Sequence, residues 1–165
     1  MKSVHLIIKK LGLIKHIEGG YFFETFRSEL LLNVDLTRTK KSRNCVASIY
    51  FFLRKKDFSA FHKLSCDELW NYHSGSPVLI ITIDNRGKLL QHKLGKNIKR
   101  NEKPQVLVKS GLWFAAVPVN RNYYSLVSCI TVPAFDYEDF HLAKRSELIQ
   151  RFPQHKDVIQ KFTRE

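Results

Sequence analysis

The segment FHKLSCDELWNYHSG (61–75) places His62, Glu68, Trp70, Tyr72 and His73 in a run whose neighbours are apolar. An imidazole titrates near neutrality and takes up a proton reversibly, and a nearby carboxylate can orient it and keep it basic. Alternate residues of a strand share a face. Phe58, Ala60, His62 and Leu64 form one such set; a tight turn follows at Ser65–Cys66; Glu68, Trp70 and Tyr72 form the next. His62 and Glu68 are therefore expected to enter one interior, where an ionisable pair must find a partner, a metal or a ligand. The plainer alternative is a His–Glu pair that satisfies itself and holds two strands in register. His73 falls off this parity and is expected to face outward or to cap the turn at Gly75.

The elements that must position these groups follow from the apolar pattern. Ser3 is a candidate helix cap, Val4, Ile7, Ile8 and Leu11 share one helical face, and Gly12 is the stop. EGGYFFETFRS (18–28) reads as a turn feeding a strand, and LLLNVDLTRTKKSRN as a loop. Short strand-like runs then recur at 45–53, 59–64, 67–73, 78–84, 88–94, 105–109, 112–117 and 123–132, divided by turn residues. Such spacing predicts an antiparallel barrel or sandwich. The period changes at the end, where AKRSELIQRF and PQHKDVIQKFT read as two short helices, the second opened by Pro153.

Bulk properties bound the function. The 165 residues suit one domain, 1–165, and a hydrophobic content of 44% supports a packed core. No apolar run approaches the ~20 residues of a membrane helix. The N-terminal apolar stretch is too short for a signal peptide, so a soluble cytoplasmic protein is expected. Cys45, Cys66 and Cys129 form no CxxC motif and read as buried free thiols. The net charge of +13 invites a nucleic-acid reading. However, the basic clusters 38–43, 54–56 and 96–103 fall at expected turns without interleaved aromatics, and solvated loops are the preferred reading.

The spacing from His62 resembles the cupin superfamily. The first cupin motif is G-x5-H-x-H-x(3,4)-E-x6-G, and this chain reads His62-x-Leu64-x3-Glu68-x6-Gly75. In KSGLWF (109–114), Lys109 takes the proline place of the second motif, Gly111 keeps its glycine, and Phe114 takes the histidine place. Over nearly the whole chain, the phrases HIEGGYFFETFRS, ASIYFFL, FHKLSCDELWNYHSGSP, LVKSGLWFAA, LVSCITVPAFDYEDFHLA and ELIQRFP resemble the fifth cupin subfamily, a domain of unknown function. The resemblance implies a mainly β fold: a double-stranded β-helix, the cupin jelly-roll barrel of the RmlC-like type, with flanking N- and C-terminal helices, often dimeric. A homodimer is accordingly expected.

The resemblance also frames the chemistry. Cupin metal sites use three histidines and a glutamate, of which only His62 and Glu68 stand at matching positions, and leucine and phenylalanine cannot ligate. No cofactor is therefore expected, and a divalent metal at His62 and Glu68 is the weaker reading. Relatives in this branch carry glutamine at the Phe114 position and often arginine at the Phe23 position. A metal-independent branch, the sugar-nucleotide epimerases, uses a histidine base and a tyrosine acid inside the barrel. By that likeness His62 is the expected base, oriented by Glu68 or a nearby acid, with Tyr72 or Tyr50 as the acid. Phe61, Trp70, Trp113 and Phe114 are expected to stack on a ring and exclude water. Arg27 is a candidate anion contact, although a surface salt bridge is preferred. Asp136 and Tyr137 are candidates for the pocket mouth, with capping and packing preferred. The resulting expectation is an isomerase or epimerase acting on a sugar-like or nucleotide-linked small molecule. The alternative is a cupin that binds a metabolite without turning it over, and the changes at Leu64 and Phe114 favour that alternative.

Overall fold

Two antiparallel sheets face each other across an apolar layer, and two helices cover the outer face of one of them. The computed structural model describes residues 2–34 and 41–164, without the side chains of Lys2, Ser3, Val34 and Lys41. The expected Ser3 cap and residues 38–40 of the first basic cluster lie outside that description.

Helix α1 (Lys2–Lys10) ends at Gly12, whose φ of +63° is a conformation glycine adopts freely. Strands β1 (Ile14–Lys15) and β2 (Tyr21–Arg27) follow. The stretch expected to be a loop instead forms a hairpin of β3 (Leu31–Val34) and β4 (Lys41–Asn44), in register Leu31↔Asn44 and Leu32↔Arg43. It is anchored by polar contacts. Asn44 donates to the Ser28 carbonyl, while Arg43 donates to the Ala134 carbonyl and pairs with Asp139 at 2.7 Å. A hairpin held this way carries no alternating apolar pattern for the sequence to reveal.

The remaining strands fall where the apolar runs predict them: β5 (Ala47–Leu53), β6 (Ser59–Leu64), β7 (Asp67–Gly75), β8 (Val78–Ile83), β9 (Leu89–Leu94), β10 (Gln105–Val108), β11 (Trp113–Pro118) and β12 (Ser125–Val132). A three-residue strand, β13 (Phe140–Leu142), precedes α2 (Arg145–Arg151) and α3 (Lys156–Lys161), with Pro153 opening a 3-10 turn between them.

One sheet runs β1-β2-β5-β12-β7-β10 and the other β13-β6-β11-β8-β9. The barrel expected from the strand spacing is not closed. Among the described residues no named strand of one sheet pairs with one of the other, and the ladders end at β1 and β10 in one sheet and at β13 and β9 in the other. The arrangement is an open jelly roll with terminal helices. Strand β11 shows how the layers are built. Phe114 and Ala116 face the inter-sheet core, while Ala115 and Val117 pack with Leu148, Phe152 and Ile159 of the helical layer. Both faces are buried, so the strand reads as a continuous apolar run. Strand β6 is divided in the same way, with Leu64 in the inter-sheet core and Phe61 in the helical layer. Among the described residues no helix is long and apolar enough to cross a membrane.

Candidate functional site

A cavity of about 140 Å³ lies between the sheets, walled by β2, β5, β7 and β12 on one side and β6 on the other. Its mouth is formed by Phe135 and Tyr137 and by Arg27 at the end of β2. Two imidazoles and two buried carboxyls reach it from three elements: His16 and Glu18 from the β1–β2 turn, His62 from β6 and Glu68 from β7.

The turn is shaped by backbone bonds. His16 donates to the Gly20 carbonyl and Gly19 to the His16 carbonyl, while Ala60 donates to the Glu18 carbonyl at 2.9 Å. Gly20 has φ +72°, and a Cβ there would lie 2.8 Å from the Phe52 carbonyl oxygen. Only glycine lets the turn settle this close to β5, and the turn then points both His16 and Glu18 inward.

His62 and Glu68 both enter the cavity, at 2% and 7% exposure, as their parity predicts. They do not pair as expected. The carboxylate that meets His62 is Glu18, 6% exposed, whose Oε2 lies 3.2 Å from Nε2. Glu68 instead accepts from Trp70 Nε1 at 2.7 Å and from the Cys129 thiol. The His62 partner was missed because it comes from residue 18 through a turn whose inward direction only the fold sets.

The protonation follows from these contacts. His62 Nδ1 lies 2.8 Å from the Ala60 carbonyl, which can only accept, so Nδ1 carries the hydrogen. Burial lowers the His62 pKa to about 3, so the ring is neutral and Nε2 presents a lone pair. Burial, reinforced by the charge of Glu68, raises Glu18 well above its ordinary value. Glu18 is then a carboxylic acid donating its proton to His62. Glu68 is pushed up to about 7 by burial, partly offset by the bonds from Trp70 and Cys129. His16 drops to about 4 through burial and accepts weakly from the Glu18 amide at 3.4 Å.

The other expected site residues are dispersed. Phe114 stacks on His62 with centroids 4.0 Å apart, a contact set by their pairing across β6 and β11, and Phe140 covers the ring at 5.3 Å. Trp70 is buried under Glu68 rather than lining the cavity. Tyr72 lies outside the cavity and donates its hydroxyl to the Gly75 carbonyl; Tyr50 also lies outside, beside the exposed His73. Trp113 sits against α2 with Lys63 over its ring. Arg27 does reach the mouth, where it is bound to Glu24 at 2.7 Å and to the Phe135 carbonyl at 3.3 Å, the salt bridge preferred from the sequence. Tyr137 lines the mouth, whereas Asp136 caps a 3-10 turn through the Glu138 amide. Of the cysteines, Cys66 and Cys129 are buried free thiols and Cys45 is half-buried. Among the described residues no group of three His, Cys, Asp or Glu side chains is arranged to hold a metal.

The open jelly roll with an ionisable cavity between its sheets defines a cupin-type protein. The chain belongs to the Cupin superfamily (DUF985) family, which it matches over residues 5–143. It is 29% identical over 153 residues to the uncharacterized protein YML079W of Saccharomyces cerevisiae, covering 86% of this chain and 76% of that one. Among solved structures it is similar to protein SO0799 from Shewanella oneidensis (TM-score 0.87, 37% identity, 96% of this chain and 95% of that one). It is also similar to a hypothetical protein from Leishmania major (TM-score 0.89, 30% identity, 98% of both chains). A Bacillus subtilis oxalate decarboxylase shares the fold alone, with a TM-score of 0.55 at 15% identity over 90% of this chain and 36% of that one.

Proposed function

We propose that this cupin is a metal-independent proton-transfer enzyme of the isomerase or epimerase type, with Glu18 and Glu68 as its catalytic carboxyls. The observation that carries the reading is the saturation of His62. One nitrogen is given to Ala60, the other to Glu18, and Phe114 and Phe140 pack against the ring. The imidazole therefore acts through Glu18 as a positioning residue. Glu68, with a pKa of about 7, exchanges protons near neutrality and serves as the base once ionised. Glu18, whose ionisation burial and the charge of Glu68 both disfavour, holds the proton to be returned. Two carboxyls whose surroundings separate their acidities can divide the base and acid roles.

The cavity size restricts the guest. A dry cavity of roughly 150 Å³ accommodates a benzene-sized molecule, and this one is about 140 Å³. A nucleotide does not fit inside, so the reacting part is a small ring or chain, and anything attached to it extends past Arg27 and Tyr137. The test is hydrogen–deuterium exchange at carbon, followed by NMR in D₂O, on a small molecule first found by thermal shift. Glu68→Gln and Glu18→Gln should each slow exchange at least 100-fold, while Tyr72→Phe leaves it unchanged. Undiminished exchange in both glutamine variants would refute the assignment.

The second reading, a cupin that binds without turnover, is favoured by the apolar residues at Leu64 and Phe114. Tight binding with no carbon-bound exchange would select it.

A further inference from the structure

We propose that the guest of this cavity carries a protonated amine, held at Glu18 and Glu68 among the aromatic side chains of the walls. This rests on the pocket reading above and narrows its ligand to one charge class.

Glu18 and Glu68 both line the cavity at under a tenth exposure. Buried carboxyl groups are paired with a cation or neutralised by a proton. Among the described residues lining the cavity, Arg27 is the one with a permanent positive charge. Its guanidinium is held at the mouth by Glu24 and the Phe135 carbonyl. The imidazoles of His16 and His62 are neutral. Two buried acids therefore share one small space with no described cation inside it; the positive charge that acts on Glu18, Arg164, lies behind it at the backbone and outside the cavity lining. Phe22, Phe51, Phe135 and Tyr137 supply much of the wall, and aromatic surface accommodates an ammonium group better than an anion. The exterior charge of +13 does not reverse this preference, because its field is screened over about 8 Å at physiological salt.

Each ligand class meets a different response. An anion would add like charge beside two acids. A neutral guest would leave both acids protonated. An ammonium guest makes ionisation of Glu68 favourable: its O–H bond breaks, the proton leaves to solvent, and the carboxylate remains beside the ammonium. Net charge in the cavity is unchanged while one proton is released. The guest thereby generates the base that the proposed reaction needs.

Cyclohexylamine, cyclohexanol and cyclohexanecarboxylate share one ring and differ in charge. Calorimetric titration of the full chain with each at pH 6, in two buffers of different ionisation enthalpy, reads affinity and proton release together. The expected result is at least tenfold tighter binding of the amine than of the alcohol, no binding of the carboxylate, and close to one proton released per amine. Glu68→Gln should remove both the release and the preference. If that variant does not fold, the proton count on the unaltered chain decides. Equal binding of amine and alcohol without proton release would overturn the amine inference and leave the pocket reading standing. Failure of all three to bind would overturn both.

Discussion

His62 Nε2 and Glu18 Oε2 stand 3.2 Å apart, and Nδ1 of the same ring is fixed by the Ala60 carbonyl. One proton serves this contact, and it resides on the carboxyl because burial disfavours both charged forms. His62→Gln should therefore remove the fixed acceptor and destabilise the fold by about 1–3 kcal/mol, the range for stranding a buried polar partner. Urea denaturation reads this. Tyr72→Phe, which loses an exposed bond to the Gly75 carbonyl, should cost less than about 1 kcal/mol.

The four ionisable groups shape stability against pH in opposite senses. His16 and His62 are depressed from 6.5 to about 4 and about 3, so the unfolded chain binds more protons than the native one from there up to 6.5. Their contribution is complete above 6.5 and is lost as pH falls. Glu68 is raised from 4.5 to about 7, so its contribution is complete below 4.5 and is lost as pH rises to 7; Glu18 acts in the same sense. Between 4.5 and 6.5 the two trends oppose each other, and thermal melts should show a broad maximum there. Glu68→Gln should remove a loss spread over pH 4.5 to 7 and worth on the order of 3 kcal/mol in all at about 1.4 kcal/mol per pKa unit, so that stability rises with pH across that window instead of holding level.

Trp70 Nε1 donates to Glu68 Oε2 at 2.7 Å, a bond that holds the Glu68 pKa down. Trp70→Phe keeps most of the apolar volume and removes the donor. Carbon-13 titration should then place the Glu68 midpoint above that of the unaltered chain, with a stability loss of about 1–3 kcal/mol. A midpoint that stays put would detach Trp70 from the acidity of the site.

Gly20→Ala should cost about 1–3 kcal/mol, because a left-handed residue meets the Phe52 carbonyl at 2.8 Å. It should also move Glu18 away from His62, seen as a shift of the His62 ring resonances. Gly111→Ala is the control: its φ of +79° is strained too, but its Cβ meets nothing within 4 Å.

The sequence exposes what repetition and parity encode. Alternation at His62 and Leu64, and again at Glu68 and Trp70, places both ionisable groups inside, and the positions of β5 to β12 follow from apolar runs between turn residues. The cupin spacing carries the family. What stayed hidden depends on distance in sequence. Glu18 reaches His62 across 44 positions through a glycine turn, and no local pattern reports where a turn points. Tyr72 lies away from the cavity because parity fixes a face but not which end of a strand lies beside it. Closure of the sheets was expected from strand spacing, yet one sheet ends at β1 and β10 and the other at β13 and β9, and spacing does not report whether edge strands meet.

Strand β6 has the site on one side and the chain's final segment on the other. Phe61 donates to the Phe162 carbonyl, and Arg164 reaches the Glu18 carbonyl and the Phe58 carbonyl, both at 3.3 Å. Residues 162–164 thus brace the proton-bearing carboxyl from behind. Trimming them would make the carboxyl at position 18 still harder to ionise, because the guanidinium that acts on it through space would leave with them.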